Sequence, residues 1–326
     1  MRVEHVPMAT LRDWLTGPGI RLDLGYFTVR LTTKIRQFAP QFQFMYGRHQ
    51  VIDAPGIDDY WIALKYPLGL RRYFGRQVQG YIDGRAAFLP LGAEAALAMW
   101  ESCLNWCIST SGPSYLLIHA AVLERNGKGI IFPGQSGSGK STLCAALVAS
   151  GWRLFSDEIA IIDPADGSLL PVPRPISVKN ESIAIVRRLF GDGELSPVFA
   201  GMPKGDIAYL RPPASAVARA RETAMPAFVV SPTFVAGLPI RSVPLRLTEA
   251  FKLIVDNSMN YSGTLRKGFD TVTRLVESCP AYGMSYGNLE DAIRFIEGLC
   301  ENDHASGPLA SELNQDYYRQ IHCAAK

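Results

Sequence analysis

The 326-residue chain lacks a charge of one sign: 33 Lys and Arg against 30 Asp and Glu leave a formal +3. A balance so close to neutral carries no polybasic signature, so neither nucleic acid nor a membrane surface is expected as a partner. Cysteine is sparse, with six residues (Cys103, Cys107, Cys144, Cys279, Cys300, Cys323) scattered along the chain. Cys103 and Cys107 have the spacing of neighbours on one helix face, but no second Cys/His pair stands near them to complete a zinc site. Free thiols packed as small apolar residues in a reducing compartment are the expectation. No uninterrupted apolar run approaches the ~20 residues of a bilayer span. The opening MRVEHVPMATLRDWL is broken by charge and proline, unlike a signal peptide. A cytoplasmic protein is expected. Internal repeats and low-complexity segments are also missing. What is present is 48% apolar and 19% charged residues, enough to bury a sizeable core, over a length that favours two domains.

The first hundred residues read as β-rich. Ile20–Leu31 alternates apolar and polar residues, and Phe42–Tyr46, Trp61–Lys65 and Val78–Ile82 are predicted as further strands. Asp83-Gly84 is a hairpin-type turn. From Ala93 to Ser109 the period becomes helical, through Leu97, Trp100, Leu104 and Cys107, until Ser111-Gly112-Pro113 breaks it. Tyr115–Leu123 and Gly129–Phe132 follow as two apolar strands whose connection holds Asn126-Gly127, a strong hairpin signal. Ser141–Ser150 is a predicted helix closed by Gly151, and Arg153–Ile162 a strand region. Asp163 to Gly167 forms a turn, and Lys179–Pro213 is mixed. Leu247–Asn257, Leu265–Ser278 and Asn288–Leu299 are predicted helices, and periodicity ends near Asp303.

Gly134-Gln135-Ser136-Gly137-Ser138-Gly139-Lys140-Ser141 satisfies the G-x-x-x-x-G-K-[ST] pattern in full. A chance match on this composition is on the order of one per cent. An apolar strand precedes it and a helix follows, as the chemistry requires. Glycines let successive backbone N–H groups face phosphate oxygens, and the helix N-terminus adds partial positive charge. Lys140 is expected to bridge the β- and γ-phosphates, Ser141 to ligate Mg²⁺ and Thr142 to touch the α-phosphate. The pattern implies a nucleotide site.

The kind of nucleotide protein is narrowed by what does not accompany the loop. No Asn-Lys-x-Asp guanine-reading element occurs, Val178-Lys179-Asn180 being a poor substitute, and no Leu-Ser-Gly-Gly transporter signature. Small-molecule kinases of the nucleoside or shikimate type usually begin at the loop, which here follows more than a hundred residues. Paired carboxylates, Asp157 and Glu158, come one helix and one short strand beyond Ser141, flanked by Leu154-Phe155 and Ile159-Ala160-Ile161-Ile162. The strand after the first helix often lies beside the loop-bearing strand. Two acids delivered there would hold Mg²⁺ and take a proton from an attacking hydroxyl. Asp163 is a rival acid, but its place before Pro164 and a glycine turn suits a hairpin residue. His119, on the preceding strand, reads by itself as a packed strand histidine.

These residues carry a family resemblance. From His119 to Glu158 the chain resembles the kinase domain of the HPr kinase/phosphorylase family: a histidine one hairpin before a G-x-S-G-x-G-K-S loop, a helix, a glycine, then Arg153-Leu154-Phe155-Ser156-Asp157-Glu158. The whole chain resembles more closely the branch called HprK-related kinase A. The shared segments are Leu104-Asn105-Trp106-Cys107-Ile108, Leu117–Val122, Gly151-Trp152-Arg153-Leu154, Pro173-Arg174-Pro175 with Lys179-Asn180, Lys204-Gly205, Leu210-Arg211-Pro212-Pro213 and Asn260-Tyr261.

The resemblance implies an α/β fold: a P-loop kinase core of HPr kinase type, a mixed sheet with flanking helices, over residues 111–302. A small β-rich N-terminal domain (1–110) precedes it and a tail (303–326) follows. It implies ATP- and Mg²⁺-dependent transfer of the γ-phosphoryl group to a serine hydroxyl on a protein or peptide. Asp157 matches the family's proton-abstracting carboxylate, Glu158 the second acid nearer the metal, and His119 the histidine beside the reacting phosphate. A homo-oligomer is implied as well. Two departures stand: Glu158 replaces an aspartate, and the family's Glu-x-Arg-Gly-x-Gly element has no counterpart beyond Lys204-Gly205. The resemblance therefore does not extend to phosphorolysis or to HPr as acceptor. A second cation opposite the loop is expected, with Lys179, Lys204 and Arg211 as candidates, and Asn180 would cap a helix or touch substrate. A small-molecule hydroxyl kinase on the same scaffold and a nucleotide-gated binding protein with little turnover are the alternatives.

Overall fold

The computed structural model describes residues 1–67, 76–111 and 114–301. The predicted tail 303–326, Cys323 and the breaker residues Gly112 and Pro113 lie outside them. The chain is α/β, with mixed sheets and flanking helices.

Helix α1 (Met8–Thr16) leads into β1 (Ile20–Asp23) and β2 (Thr28–Thr33), followed by α2 (Phe38–Tyr46), β3 (Gln50–Val51), β4 (Tyr60–Lys65), β5 (Gln77–Ile82), β6 (Arg85–Gly92) and α3 (Ala96–Ser109). Among the described residues the strands form one sheet in the order β3-β1-β2-β4-β5-β6, antiparallel except for β2 beside β4. Two sequence expectations are corrected here. Ile20–Leu31 is not one strand but a hairpin, turning through Leu24 to Phe27, whose alternation continues across the turn because both arms face one core. Phe42–Tyr46 is helical. Its short window alternates like a strand, but Phe38, Phe42, Met45 and Tyr46 are all buried, the i, i+4, i+7, i+8 pattern of a helix face.

The second half begins with β7 (Leu116–Arg125) and β8 (Lys128–Pro133), paired antiparallel across Asn126-Gly127. Both turn residues have positive φ, 54° and 80°, as the tight hairpin demands. Helix α4 (Lys140–Ala149) precedes β9 (Arg153–Ser156) and β10 (Ile159–Ile162). A small antiparallel sheet follows, β11 (Ile176–Lys179), β12 (Phe199–Met202) and β13 (Gly205–Leu210), with β13 central and α5 (Glu181–Phe190) between its first two strands. After α6 (Ala214–Ala218) come β14 (Met225–Phe234), β15 (Arg241–Pro244), α7 (Leu247–Asn257), α8 (Tyr261–Ser278), β16 (Ala281–Tyr286) and α9 (Leu289–Glu301). The main sheet runs β10-β7-β8-β14-β16-β15, with β9 also on β7. Its centre, β8, β14 and β16, is parallel. Helix α8 starts earlier than predicted and kinks at Leu265, where φ is 51°.

The strand following the loop helix does not lie beside β8. Both β9 and β10 pair antiparallel with β7, the other arm of the hairpin, because β14 occupies the free edge of β8. The N-terminal sheet and the main sheet share one apolar cluster, which runs from Val29, Leu31 and Trp100 to Leu117, Ile161, Val172 and Tyr209. Among the described residues no helix is long and apolar enough to cross a membrane.

Candidate functional site

Three parallel strands end at one place. β8 closes at Pro133, β14 at Phe234 and β16 at Tyr286, and the glycine-rich loop 134–139 rests on those ends. The Phe234 N–H donates to the Ser138 carbonyl (3.1 Å) and the Tyr286 hydroxyl to the Gly139 carbonyl (3.3 Å). Gly139 is required there: φ is +93°, and a Cβ would sit 2.7 Å from the Tyr286 hydroxyl. The carboxyl ends of parallel strands, followed by a helix N-terminus, form the usual ligand position in open α/β sheets.

Lys140 opens α4 and is buried. Its Nζ donates to the carbonyls of Gly134 and Gln135, the latter at 2.8 Å. Burial lowers its pKa, while Glu158 and Asp157 act in the opposite sense. The Thr142 hydroxyl donates to Ser182 Oγ of α5 at 2.6 Å.

The acidic doublet reaches the loop through strand register. Ala120 of β7 pairs with Pro133, the last residue of β8, and its N–H donates to the Glu158 carbonyl at 3.2 Å. One position on, His119 pairs with Ile159. Asp157 and Glu158 therefore occupy the break between β9 and β10 at the level where β8 gives way to the loop. Ser156 holds the break, its Oγ accepting from the Ile159 N–H at 3.1 Å.

Asp157 is buried. Its Oδ2 accepts from the Ser177 N–H of β11 at 3.1 Å, whereas Oδ1 has no hydrogen-bond partner among the described residues. Burial, with the nearby Glu158 charge, pushes its carboxyl up to about 7, opposed by the Ser177 N–H, the Ser141 hydroxyl and Lys179. A buried carboxylate with one open oxygen beside a hydroxyl is an oxygen donor set suited to a hard divalent cation or to an incoming proton. Among the described residues no group of three or more His, Cys, Asp or Glu could hold a metal. Glu158 is half-buried, 4.0 Å from His119 Nδ1. Burial lowers the His119 pKa, with Lys140 and Lys204 adding to the effect and Glu158 opposing it. Burial thus favours the neutral imidazole.

A cavity of about 610 Å³ opens from the doublet. Lys179, at the end of β11, and Lys204, in the turn between β12 and β13, line it with Asp157 and Glu158. The structure thus brings together Lys140, Ser141, Asp157, Glu158, His119, Lys179 and Lys204. It does not bring Asn180 or Arg211. Asn180 precedes α5, and its side-chain carbonyl accepts from the Asp206 N–H at 3.1 Å, clamping the start of β13. Arg211 is held by Glu4 at 2.7 Å and lies over Phe44, outside the cavity lining.

Sequence reasoning missed the other end of this cavity. Arg174 donates from Nη1 to Glu101 Oε2 of α3 at 3.3 Å and from Nη2 to Asn105 Oδ1; the Tyr46 hydroxyl donates to Glu101 Oε1 at 2.5 Å. The signal was there. Glu101 lies on the apolar face defined by Leu97, Trp100, Leu104 and Cys107, where a carboxylate needs a buried partner.

Comparison with known proteins gives the following. The model of a family described as SynChlorMet cassette protein ScmC matches residues 92–177, from the end of β6 to the second residue of β11. No curated protein matches the chain by sequence. Among solved structures, the Hpr(Ser) kinase/phosphatase from Coxiella burnetii is similar at 14% identity and a TM-score of 0.26, over 57% of this chain and 94% of that one.

Proposed function

We propose that the chain is an ATP-dependent kinase of HPr kinase type, with a P-loop core, that transfers the γ-phosphoryl group to a hydroxyl, most directly a serine of a protein or peptide. The observation that carries this reading is the position of the unpartnered Asp157 oxygen: buried, in the β9–β10 break whose Glu158 is level with the last residue of β8, and beside Ser141.

In this reading the loop amides and Lys140 cradle the β- and γ-phosphates. Lys140 exchanges its two carbonyl acceptors for phosphate oxygens. Ser141, Asp157 and Glu158 would hold Mg²⁺, which neutralises phosphate charge when bound. The acceptor hydroxyl enters from the cavity and gives its proton to Asp157. Its oxygen forms a bond to the γ-phosphorus as the bond from that phosphorus to the β–γ bridging oxygen breaks, leaving ADP with the electron pair. A carboxyl held near 7 is matched to such a transfer at neutral pH. Lys179 and Lys204 offset the charge on the transferred group. His119, 4.0 Å from Glu158, stands beside the reacting groups and would tune or share the proton transfer to Asp157.

A kinase of a small hydroxyl compound is a second reading, favoured by the cavity volume, which lies within the range of small-molecule sites. Incubation with γ-labelled ATP and a cell extract, split into protein and small-molecule fractions, tests both. Label is expected in the protein fraction and absent with Asp157→Asn. Label transferred by that variant at the unsubstituted rate would remove Asp157 as the base.

A further inference from the structure

The cavity beside the doublet is walled by apolar side chains, among them Leu91, Met202, Ile207 and Tyr209, and its outer end is made by Phe88 and Leu89 of β6. That outer end is a constructed feature. β5 and β6 pair Val78 with Leu91 and Gly80 with Ala87, so four steps on β6 face two on β5 and the extra residues bulge outward. Phe88 sits at the bulge with φ +61°, a left-handed conformation that an aromatic residue adopts only when its surroundings impose it. Buried Gln79 imposes it, its amide donating to the carbonyls of Ala87 (2.6 Å) and Phe88 (3.0 Å). The result is an apolar lip in water: Leu89 is 83% exposed, Trp106 53% and Phe88 48%, with Phe88 edge-on to Trp106 at 6.0 Å.

Strain and a buried amide invested in exposing large apolar side chains at the mouth of a cavity point to recognition. A compact molecule filling the cavity would leave Leu89 and Trp106 in water. An extended chain, advancing ~3.3 Å per residue, would put one side chain at the doublet and cover the lip with its neighbours. Resting on the kinase reading above, we infer that the acceptor is a polypeptide segment whose phosphorylated serine is flanked by a large aliphatic or aromatic residue, and that the Phe88–Leu89 bulge of the N-terminal sheet grips that flanking side chain.

The test uses a pool of short peptides with one central serine and randomised flanks. One portion is incubated with the full-length protein, ATP and Mg²⁺, and the phosphorylated products are sequenced. A second is passed over the immobilised protein without nucleotide, and the retained peptides are sequenced. Both sets should be enriched in Leu, Ile, Met, Val or Phe beside the serine. Leu89→Asp, at an exposed position where the fold tolerates a charge, should erase the enrichment and lower kcat/KM for the best peptide about tenfold. Leu89→Met should retain both, and ATP affinity should be unchanged in either variant. Phosphorylation without a flank preference, or with a preference indifferent to Leu89→Asp, overturns the inference and leaves the kinase reading standing. Retention of apolar-flanked peptides without phosphorylation removes the kinase reading and overturns the acceptor role with it, leaving only a grip of the bulge on an apolar side chain. Neither retention nor phosphorylation overturns both.

Discussion

Asp157 and Glu101 line one cavity, and burial pushes both carboxyls up to about 7. Their surroundings differ. Glu101 has both oxygens engaged, by the Tyr46 hydroxyl and by Arg174, and the guanidinium reaches on to Asn105. Asp157 has one oxygen held by the Ser177 N–H and the other open. The same displacement of acidity thus accompanies a carboxyl with both oxygens engaged at one end, in a strap tying α3 to the segment before β11, and a carboxyl with one unpartnered oxygen at the other. A displaced pKa marks both carboxyls as candidates, and the unpartnered oxygen marks Asp157 as the one to test for reactivity.

That contrast can be broken by substitution. The largest effect is expected from Asp157→Asn, which should lower phosphoryl transfer about a thousandfold while ATP affinity by calorimetry stays nearly unchanged. Lys140→Ala should lose affinity and transfer together, because its ammonium would sit on the phosphates. Glu101→Gln should behave oppositely to Asp157→Asn. It strands the Arg174 charge and should cost about 3 kcal/mol of unfolding free energy in urea, with transfer at low temperature close to the unsubstituted rate. If Glu101→Gln abolished transfer without destabilising the protein, the strap assignment would be wrong.

Ser141→Ala sharpens the metal side of the comparison. It should weaken binding of ATP with Mg²⁺ about tenfold and that of Mg²⁺-free ATP much less. Equal losses would remove Ser141 from the cation's surroundings.

The smallest effect is a matter of pH. If Asp157 is the base, it acts when unprotonated, so kcat/KM should rise as pH passes through about 7 and then level. Stability runs the other way. The folded-state pKa of Asp157 is raised above its ordinary value of 3.8, so its contribution is fully present below about pH 4 and lost as pH rises through about 7. Asp157→Asn, neutral throughout, should leave Tm unchanged near pH 4 and raise it by roughly 5 °C at pH 8, measured by calorimetry.

Much of the site was legible because its signals are local. The Asn126-Gly127 turn, the loop from Gly134 to Ser141 and the helix that follows are each specified within a few residues, by backbone conformations few other residues adopt. The Asp157-Glu158 doublet was legible as two acids in an apolar run, although the strand pairing that brings it to the loop was not. Short windows misled where two periods coincide, as at Phe42–Tyr46, and a turn inside a continuous alternation was invisible at Leu24 to Phe27. The stretch Lys179–Pro213 could not be parsed because its strands pair across an intervening helix.

Local chemistry along the chain determined the glycine-rich turn into a helix and the pair of acids that make up the candidate site, since both are defined by their immediate neighbours. Long-range pairing decided the rest. The antiparallel seating of β9 and β10 on β7 puts Glu158 level with Pro133 and Asp157 one step behind it, the Arg174–Glu101 strap joins residues 73 positions apart, and the Gln79-held bulge turns Phe88 and Leu89 to the cavity mouth. Each depends on which strand wins which edge, a competition among hydrogen-bonding partners that no single stretch of sequence contains.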